Sequence, residues 1–194
     1  MLERFVVFCD KALKTLTHMP ASDGKQEPFK KSIPMKRVNY AGEIAAQGLY
    51  MGAWLAEDKE DLQQFYLHAA AEEYRHLDWC GARVSALGGK VSVFNPIWYA
   101  GGSLLGFSSR MLGSSYALGF VEETERQVLE HLRGHLHKLP IDDVKSRSVV
   151  EQMIIEEQEH GDHAAQLGAA TLPKPVCQVM HFMGRVLTTI SAEI

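Results

Sequence analysis

The chain has 194 residues, enough for one domain with a proper core and short for two. Apolar residues make up 46% and charged residues 23%, which argues against a disordered or collagen-like chain, and the net charge of −4 disfavours a nucleic-acid binder that works through a basic face. Cys9, Cys80 and Cys177 are far apart and form no C-x-x-C, so neither a disulfide framework nor a zinc ribbon is expected, and a reducing compartment is the simplest reading.

Residues 1–18 carry Glu3, Arg4, Asp10, Lys11 and Lys14 without a long apolar run, unlike a secretory signal. Phe5, Phe8, Cys9, Ala12, Leu13 and Leu16 recur at helical spacing and predict a short amphipathic helix. Residues 19–33, with Pro20, Gly24 and Pro28, read as an arm. Pro34 suits the first turn of a helix that continues to Ala56. Asp58 is the candidate N-cap of a second helix over 59–87, ended by Gly88-Gly89. Residues 90–114 are rich in Gly, Ser and aromatics and read as a long crossover. Its uncharged stretch 91–109 has the length of a membrane span, but Asn95, Pro96, Gly101, Gly102 and Gly106 argue for a membrane surface or a cavity lining instead. A third helix covers 115–138, stopped by Pro140, and a fourth runs from the candidate cap Asp142 to about 170. Pro173 and Pro175 introduce an apolar segment, 176–191. Two helix pairs with short turns and one long connection between them predict an all-α four-helix bundle with one crossover.

Two Glu-x-x-His units stand out, Glu73–His76 and Glu157–His160. Residues three apart share a helix face, so each pair can converge on one metal. The motif alone is weak, since the composition gives roughly 0.7 occurrences by chance. Spacing makes the case. Glu43 lies 30 residues before Glu73, and Glu125 lies 32 before Glu157. Each half is therefore a helix with an interior Glu, a turn, and a helix with Glu-x-x-His. Antiparallel pairing brings each lone Glu level with its partner motif, which is the ligand pattern of di-iron and di-manganese carboxylate proteins. Four buried carboxylates need counter-charge, and two divalent cations supply it. Carboxylate and imidazole donors suit iron or manganese, with zinc as an alternative occupant.

Other polar groups have plainer readings. Glu57, Glu60, Glu130 and Glu151 are expected to be solvated. Glu43 is harder to place in water, because it sits in the small-residue run Tyr40-Ala41-Gly42-Glu43-Ile44-Ala45-Ala46. Glu125 has rivals in Glu122 and Glu123, and only the half-to-half spacing selects it. His131, His135 and His137 read as surface or supporting groups, and His163 as a partner of Glu159.

Five separated motifs resemble one known family. They are Arg37-Val38-Asn39-Tyr40-Ala41-Gly42-Glu43, Glu72-Glu73-x-x-His76-Leu77, Asn95-Pro96-x-Trp98-Tyr99, Gly119-Phe120-Val121-x-Glu123-Thr124-Glu125 and Glu156-Glu157-x-Glu159-His160. Together, from Pro34 to the C-terminus, they resemble the demethoxyubiquinone hydroxylase family, di-iron monooxygenases of ubiquinone biosynthesis. The resemblance implies a ferritin-like fold for 34–194, preceded by a helix and arm at 1–33, within one domain. Its iron ligands carry over onto Glu43, Glu73, His76, Glu125, Glu157 and His160. It also implies two irons per chain, O2 as co-substrate, a polyprenylated demethoxy-quinol as substrate and peripheral attachment to the membrane. The expected place is the cytoplasmic face of the cell membrane, or the mitochondrial inner membrane in a eukaryote. The family commonly has His where this chain has Tyr40.

No Gly-x-Gly-x-x-Gly follows a strand, so the electrons are expected from an external donor, NADH among the candidates, or through the quinone. Arg37 and Tyr40, ahead of Glu43, are the candidates to orient ring oxygens. Phe94, Ile97, Trp98, Tyr99, Leu104, Leu105, Phe107, Met111, Leu112 and Phe120, with Met180, Phe182, Met183, Val186 and Leu187 of the last segment, are the candidate membrane-facing side chains. A homo-oligomer or a partner from ubiquinone biosynthesis is compatible with the sequence, and nucleic acid is not expected. Two rivals stay open: a ferritin-like ferroxidase or peroxidase, and a non-catalytic quinone- or lipid-binding protein with a vestigial metal site.

Overall fold

Proline and glycine punctuate the chain largely where the sequence predicts. The computed structural model describes residues 2–18 and 28–193; residues 19–27 of the expected arm lie outside the described residues. Seven helices follow in order: α1 Leu2–Leu16, α2 Ile33–Ala56, α3 Glu60–Ala86, α4 Asn95–Met111, α5 Ser114–Lys138, α6 Val144–Gln166 and α7 Lys174–Glu193. A short 3-10 turn, Lys30–Ser32, leads into α2, and no strand occurs among the described residues. Pro34 and Pro96 sit in the first turns of α2 and α4, where a missing N–H costs nothing. Gly88 follows α3 with φ 77°, a left-handed conformation that glycine adopts freely.

Helices α2 and α3 form one antiparallel pair, α5 and α6 the other, and the pairs meet through α2 on α5 and α3 on α6. This is the all-α, ferritin-like four-helix bundle with one crossover. Tyr50, Tyr66, Ile44, Met51, Leu77, Leu118, Leu132 and Met153 are fully buried between the four. At one end a buried polar knot ties the helices together. Arg83 pairs with Asp143 at 3.0 Å, Ser32 donates to Asp143 at 2.6 Å, and Lys36 donates to the Ser146 carbonyl at 2.9 Å. Burial lowers the Lys36 pKa to about 8.

Four expectations need correction. The glycine-rich crossover is not irregular: most of it is α4, laid against α2. Gly102 and Gly106 of α4 face the backbone of Ala45 and Leu49, while Gly48 and Gly52 of α2 face the backbone of Tyr99 and Ser103. A Cβ at any of the four would collide with the opposite helix, so the glycines mark a close crossing rather than a loop. Asp58 does not cap α3. Lys59 stands at the N-cap with no side-chain capping bond, and just ahead of it Glu57 Oε1 accepts from the N–H groups of Asp58 and Lys59 at 2.9 and 3.1 Å. Glu57 is accordingly buried rather than solvated, and Arg110 of α4 meets its carboxylate at 2.8 Å. At α6 the cap is Asp143, one residue beyond Asp142, which accepts from the Ser146 N–H at 3.2 Å.

Two further helices lie on the outside. Along the α2–α3 side, α1 is held by Arg4 bonded to the Trp54 carbonyl, Lys14 lying 4.6 Å over the Tyr74 ring, and His18 paired with Asp78 at 3.0 Å. Its Phe8 ring packs against Tyr99 of α4. Most of α7 stays partly or fully exposed; Ser191 is its one buried residue. It is pinned by Arg37 donating to the Ala192 carbonyl at 3.1 Å and Gln127 donating to the Cys177 carbonyl at 3.3 Å.

Candidate metal centre

The structure brings all six candidate ligands together. Glu43 comes from the middle of α2, Glu73 and His76 from α3, Glu125 from α5, Glu157 and His160 from α6. Each is buried, from 0% exposed for Glu73 and His76 to 5% for His160. Their donor atoms form two overlapping groups, Glu43, Glu73, His76 and Glu157 in one, Glu73, Glu125, Glu157 and His160 in the other, each spanning no more than 4.8 Å. Glu73 and Glu157 belong to both. Two positions, each with one histidine and one carboxylate of its own and two carboxylates in common, are what a dinuclear site requires.

The electrostatics fit cations. Burial, followed by the neighbouring Glu73, raises the Glu43 pKa well above the carboxylate range; burial and Glu157 do the same to Glu125. Burial works in the same direction on Glu73, but hydrogen bonds to His160 and His76 outweigh it and hold that carboxyl well below the usual range. Burial alone would lower both histidines. Contacts to Glu157, Glu43 and Glu73 overturn this for His76, which rises far above the ordinary range. Glu157 and Glu73 raise His160 to about 12. The buried Oε2 of Glu125 lacks a hydrogen-bond partner. The donor set, oxygen and imidazole with no thiolate, fits iron or manganese.

Both imidazoles are aimed from behind, and here sequence reasoning missed two residues. His76 turns Nδ1 toward Glu73 and Glu157, while its Nε2 meets Glu156 at 2.8 Å. His160 turns Nδ1 toward Glu73 and Glu157, while its Nε2 meets Glu72 at 2.9 Å. Each motif's leading Glu therefore holds the histidine of the other motif, and Arg75 joins Glu72 and Glu156 at 3.0 and 3.3 Å. The doubled Glu-Glu-x-x-His carried this signal. On the other side, the Tyr50 hydroxyl donates to Glu125 Oε1 at 2.7 Å.

Other candidates fall elsewhere. Glu122 and Glu123 flank a cleft between α5 and α6, so the spacing argument selected the buried acid, Glu125. Arg37 is not with the six: its guanidinium donates to the Lys90 and Ala192 carbonyls, at 2.7 and 3.1 Å. Tyr40 is buried one turn from Glu43, its ring stacked on His18. His135 is buried and bonded to Asn39 at 2.7 Å, with the His131 ring 4.0 Å away. His163 packs edge-on against Phe65.

The model for ubiquinone biosynthesis protein COQ7 matches residues 31–191. The chain belongs to the COQ7 family. A Chromobacterium violaceum protein named 3-demethoxyubiquinol 3-hydroxylase is 39% identical over all of both chains. An Azoarcus relative of the same name is 38% identical, again over both full lengths. One from Francisella tularensis is 41% identical over 98% of this chain and 92% of its own. In this COQ7-family chain, α2 to α7 fall almost wholly inside the matched region and α1 lies before it.

Proposed function

We propose that the protein is an O2-dependent di-iron monooxygenase, a 3-demethoxyubiquinol 3-hydroxylase that acts on a polyprenylated quinol in ubiquinone biosynthesis. The observation that carries this reading is the pair of overlapping ligand groups sharing Glu73 and Glu157, in a chain of the COQ7 family. One iron is assigned to Glu43 and His76, the other to Glu125 and His160, with Glu73 and Glu157 serving both. When bound, the iron pair supplies activation of O2 and insertion of one oxygen atom into an aromatic C–H.

The chain's own residues do the rest. The four carboxylates hold the cations and balance their charge. Glu72 and Glu156 keep each imidazole Nδ1 directed inward. Tyr50 fixes the orientation of Glu125. Burial of all six ligands keeps bulk water away. The ring C–H becomes C–OH, and the second oxygen leaves as water with two electrons and two protons from a donor such as NADH. No helix among the described residues is long and apolar enough to cross a membrane. A substrate whose tail stays in lipid is then met at the surface, by peripheral attachment on the cytoplasmic face of the membrane.

Incubation of the reduced, iron-loaded enzyme with the demethoxy-quinol under labelled O2 tests the reading. One labelled oxygen in the product and two irons per chain are expected. Glu157→Ala, which removes a carboxylate common to both positions, should lose iron and turnover while keeping its helical circular dichroism. Label drawn from water, or a fully active Glu157→Ala, would overturn the assignment.

A further inference from the structure

Lys36 of α2 is fully buried, yet no carboxylate bonds to it among the described residues; its Nζ donates to the neutral Ser146 carbonyl at 2.9 Å. The neighbouring acid, Asp143, is paired with Arg83 at 3.0 Å. A buried ammonium without an ion pair is costly, and a methionine would fill the same space without that cost. Lys36 precedes Glu43 by seven residues, two turns of α2, so the two share a face and lie about 10 Å apart along the helix axis. Between them sit Cys80, four residues beyond His76 on α3, and Met153, four before Glu157 on α6, both 0% exposed and in contact at 3.6 Å. Such a buried layer screens charge weakly. Burial lowers the Lys36 pKa to about 8, with Cys80, Asp143 and Glu43 pulling against it, so the ammonium keeps its charge at neutral pH and Glu43 lies within its field.

The surroundings of the other position differ. There the neutral Tyr50 hydroxyl donates to Glu125 at 2.7 Å, the Phe65 ring backs Tyr50, and Ala164, one turn beyond His160, is fully buried. Arg75 spans Glu72 and Glu156 and so bears on both histidines alike. We infer that Lys36 makes the two metal positions unequal: its charge weakens the position of Glu43 and His76 for a divalent cation, so that this position fills second and empties first. This rests on the dinuclear reading. Lys36 acts at a distance, through the field at Glu43, and is a positioning residue rather than a catalytic one. A unit charge about 10 Å away, at an effective dielectric constant of about 20, shifts the binding of a divalent ion by about tenfold or more. Repulsion between two bound cations would also separate two binding steps, but it would not choose which position is the weaker.

The test is titration of the metal-free protein with Co(II), followed by calorimetry and visible absorption. Wild type is expected to bind two ions in unequal steps. Glu43→Gln should remove the weaker step, and Glu125→Gln the tighter one. Lys36→Met, which keeps length and removes charge, should tighten the weaker step by about tenfold and leave the tighter step where it is. Lys36→Arg, which keeps the charge, should keep the wild-type separation; a purely structural role would neither move one step alone nor follow the charge. If Lys36→Met does not fold, the two ligand variants carry the test, since both retain the lysine. Equal steps in wild type, loss of the tighter step in Glu43→Gln, or a Lys36→Met isotherm matching wild type would overturn the inference while leaving the dinuclear reading intact. Wild type that binds one ion or none, or ligand variants that both bind as wild type does, would instead remove the reading on which the inference rests.

Discussion

Each histidine of the cluster is oriented by a carboxylate from the opposite motif, so neither proposed metal position is built from one helix pair alone. Glu156 holds His76 across the α3–α6 interface, and Glu72 holds His160 in return. A metal-ligating imidazole loses affinity when its outer N–H loses its acceptor, by about 10–100-fold. Glu156→Ala is therefore expected to weaken iron binding by that order, read from competition with a chelator, with helical content unchanged. Glu156→Gln keeps an amide oxygen for the His76 N–H and should recover most of the affinity. Equal affinity in Glu156→Ala and wild type would show that packing against Trp79, whose ring lies 5.3 Å from His76, orients the imidazole instead.

At the level of helices, the α2–α4 crossing decides how the connection between the two ligand-bearing pairs is stored. Four glycines let the backbones touch, and their value depends on position rather than residue type. Gly52→Ala would drive a Cβ into the Ser103 carbonyl, and neither helix backbone can yield. A loss of at least about 1–3 kcal/mol is expected, the usual cost of overpacking. Gly134 of α5 has nothing within 4 Å of the place a Cβ would take. Gly134→Ala should therefore gain about 0.4–1 kcal/mol from the lower entropy of the unfolded chain. Thermal or urea unfolding of the two variants checks the opposite signs.

Across the whole molecule, apolar side chains collect on the outer helices. Ile97, Leu104, Phe107, Met111 and Leu112 at α4 are exposed, as are Phe5, Val6 and Leu13 on the adjoining α1 and Val179, Phe182 and Met183 on α7. Exposed apolar surface on this scale marks an interaction site, and a helix with such a face can lie in the headgroup boundary without crossing. Wild-type protein is expected to float with phosphatidylethanolamine–phosphatidylglycerol vesicles, and Leu104→Glu combined with Phe107→Glu to reduce the floated fraction severalfold. Undiminished flotation would place the contact on α1 or α7.

The sequence by itself determined the helical class, the order of the bundle helices and the six residues that converge. These follow from periodicity, from proline and glycine at helix ends, and from a repeat of spacings along the chain. Glu125 was separable from Glu122 and Glu123 by that repeat, and burial agrees. Only the tertiary structure decided what depends on two helices meeting. Gly48, Gly52, Gly102 and Gly106 spell a loop or a tight crossing equally well until the opposing backbone is in place. Glu57 is a solvated acid until Arg110 folds onto it. Arg37 is a free charge until the Lys90 and Ala192 carbonyls accept its hydrogen bonds. Glu72 and Glu156 stand beside ligands in the chain, but the histidines they hold are 88 and 80 residues away. Local pattern reports which face of a helix is buried; it does not report which group from a distant helix arrives there, and in this protein that arrival sets the supporting contacts of the site.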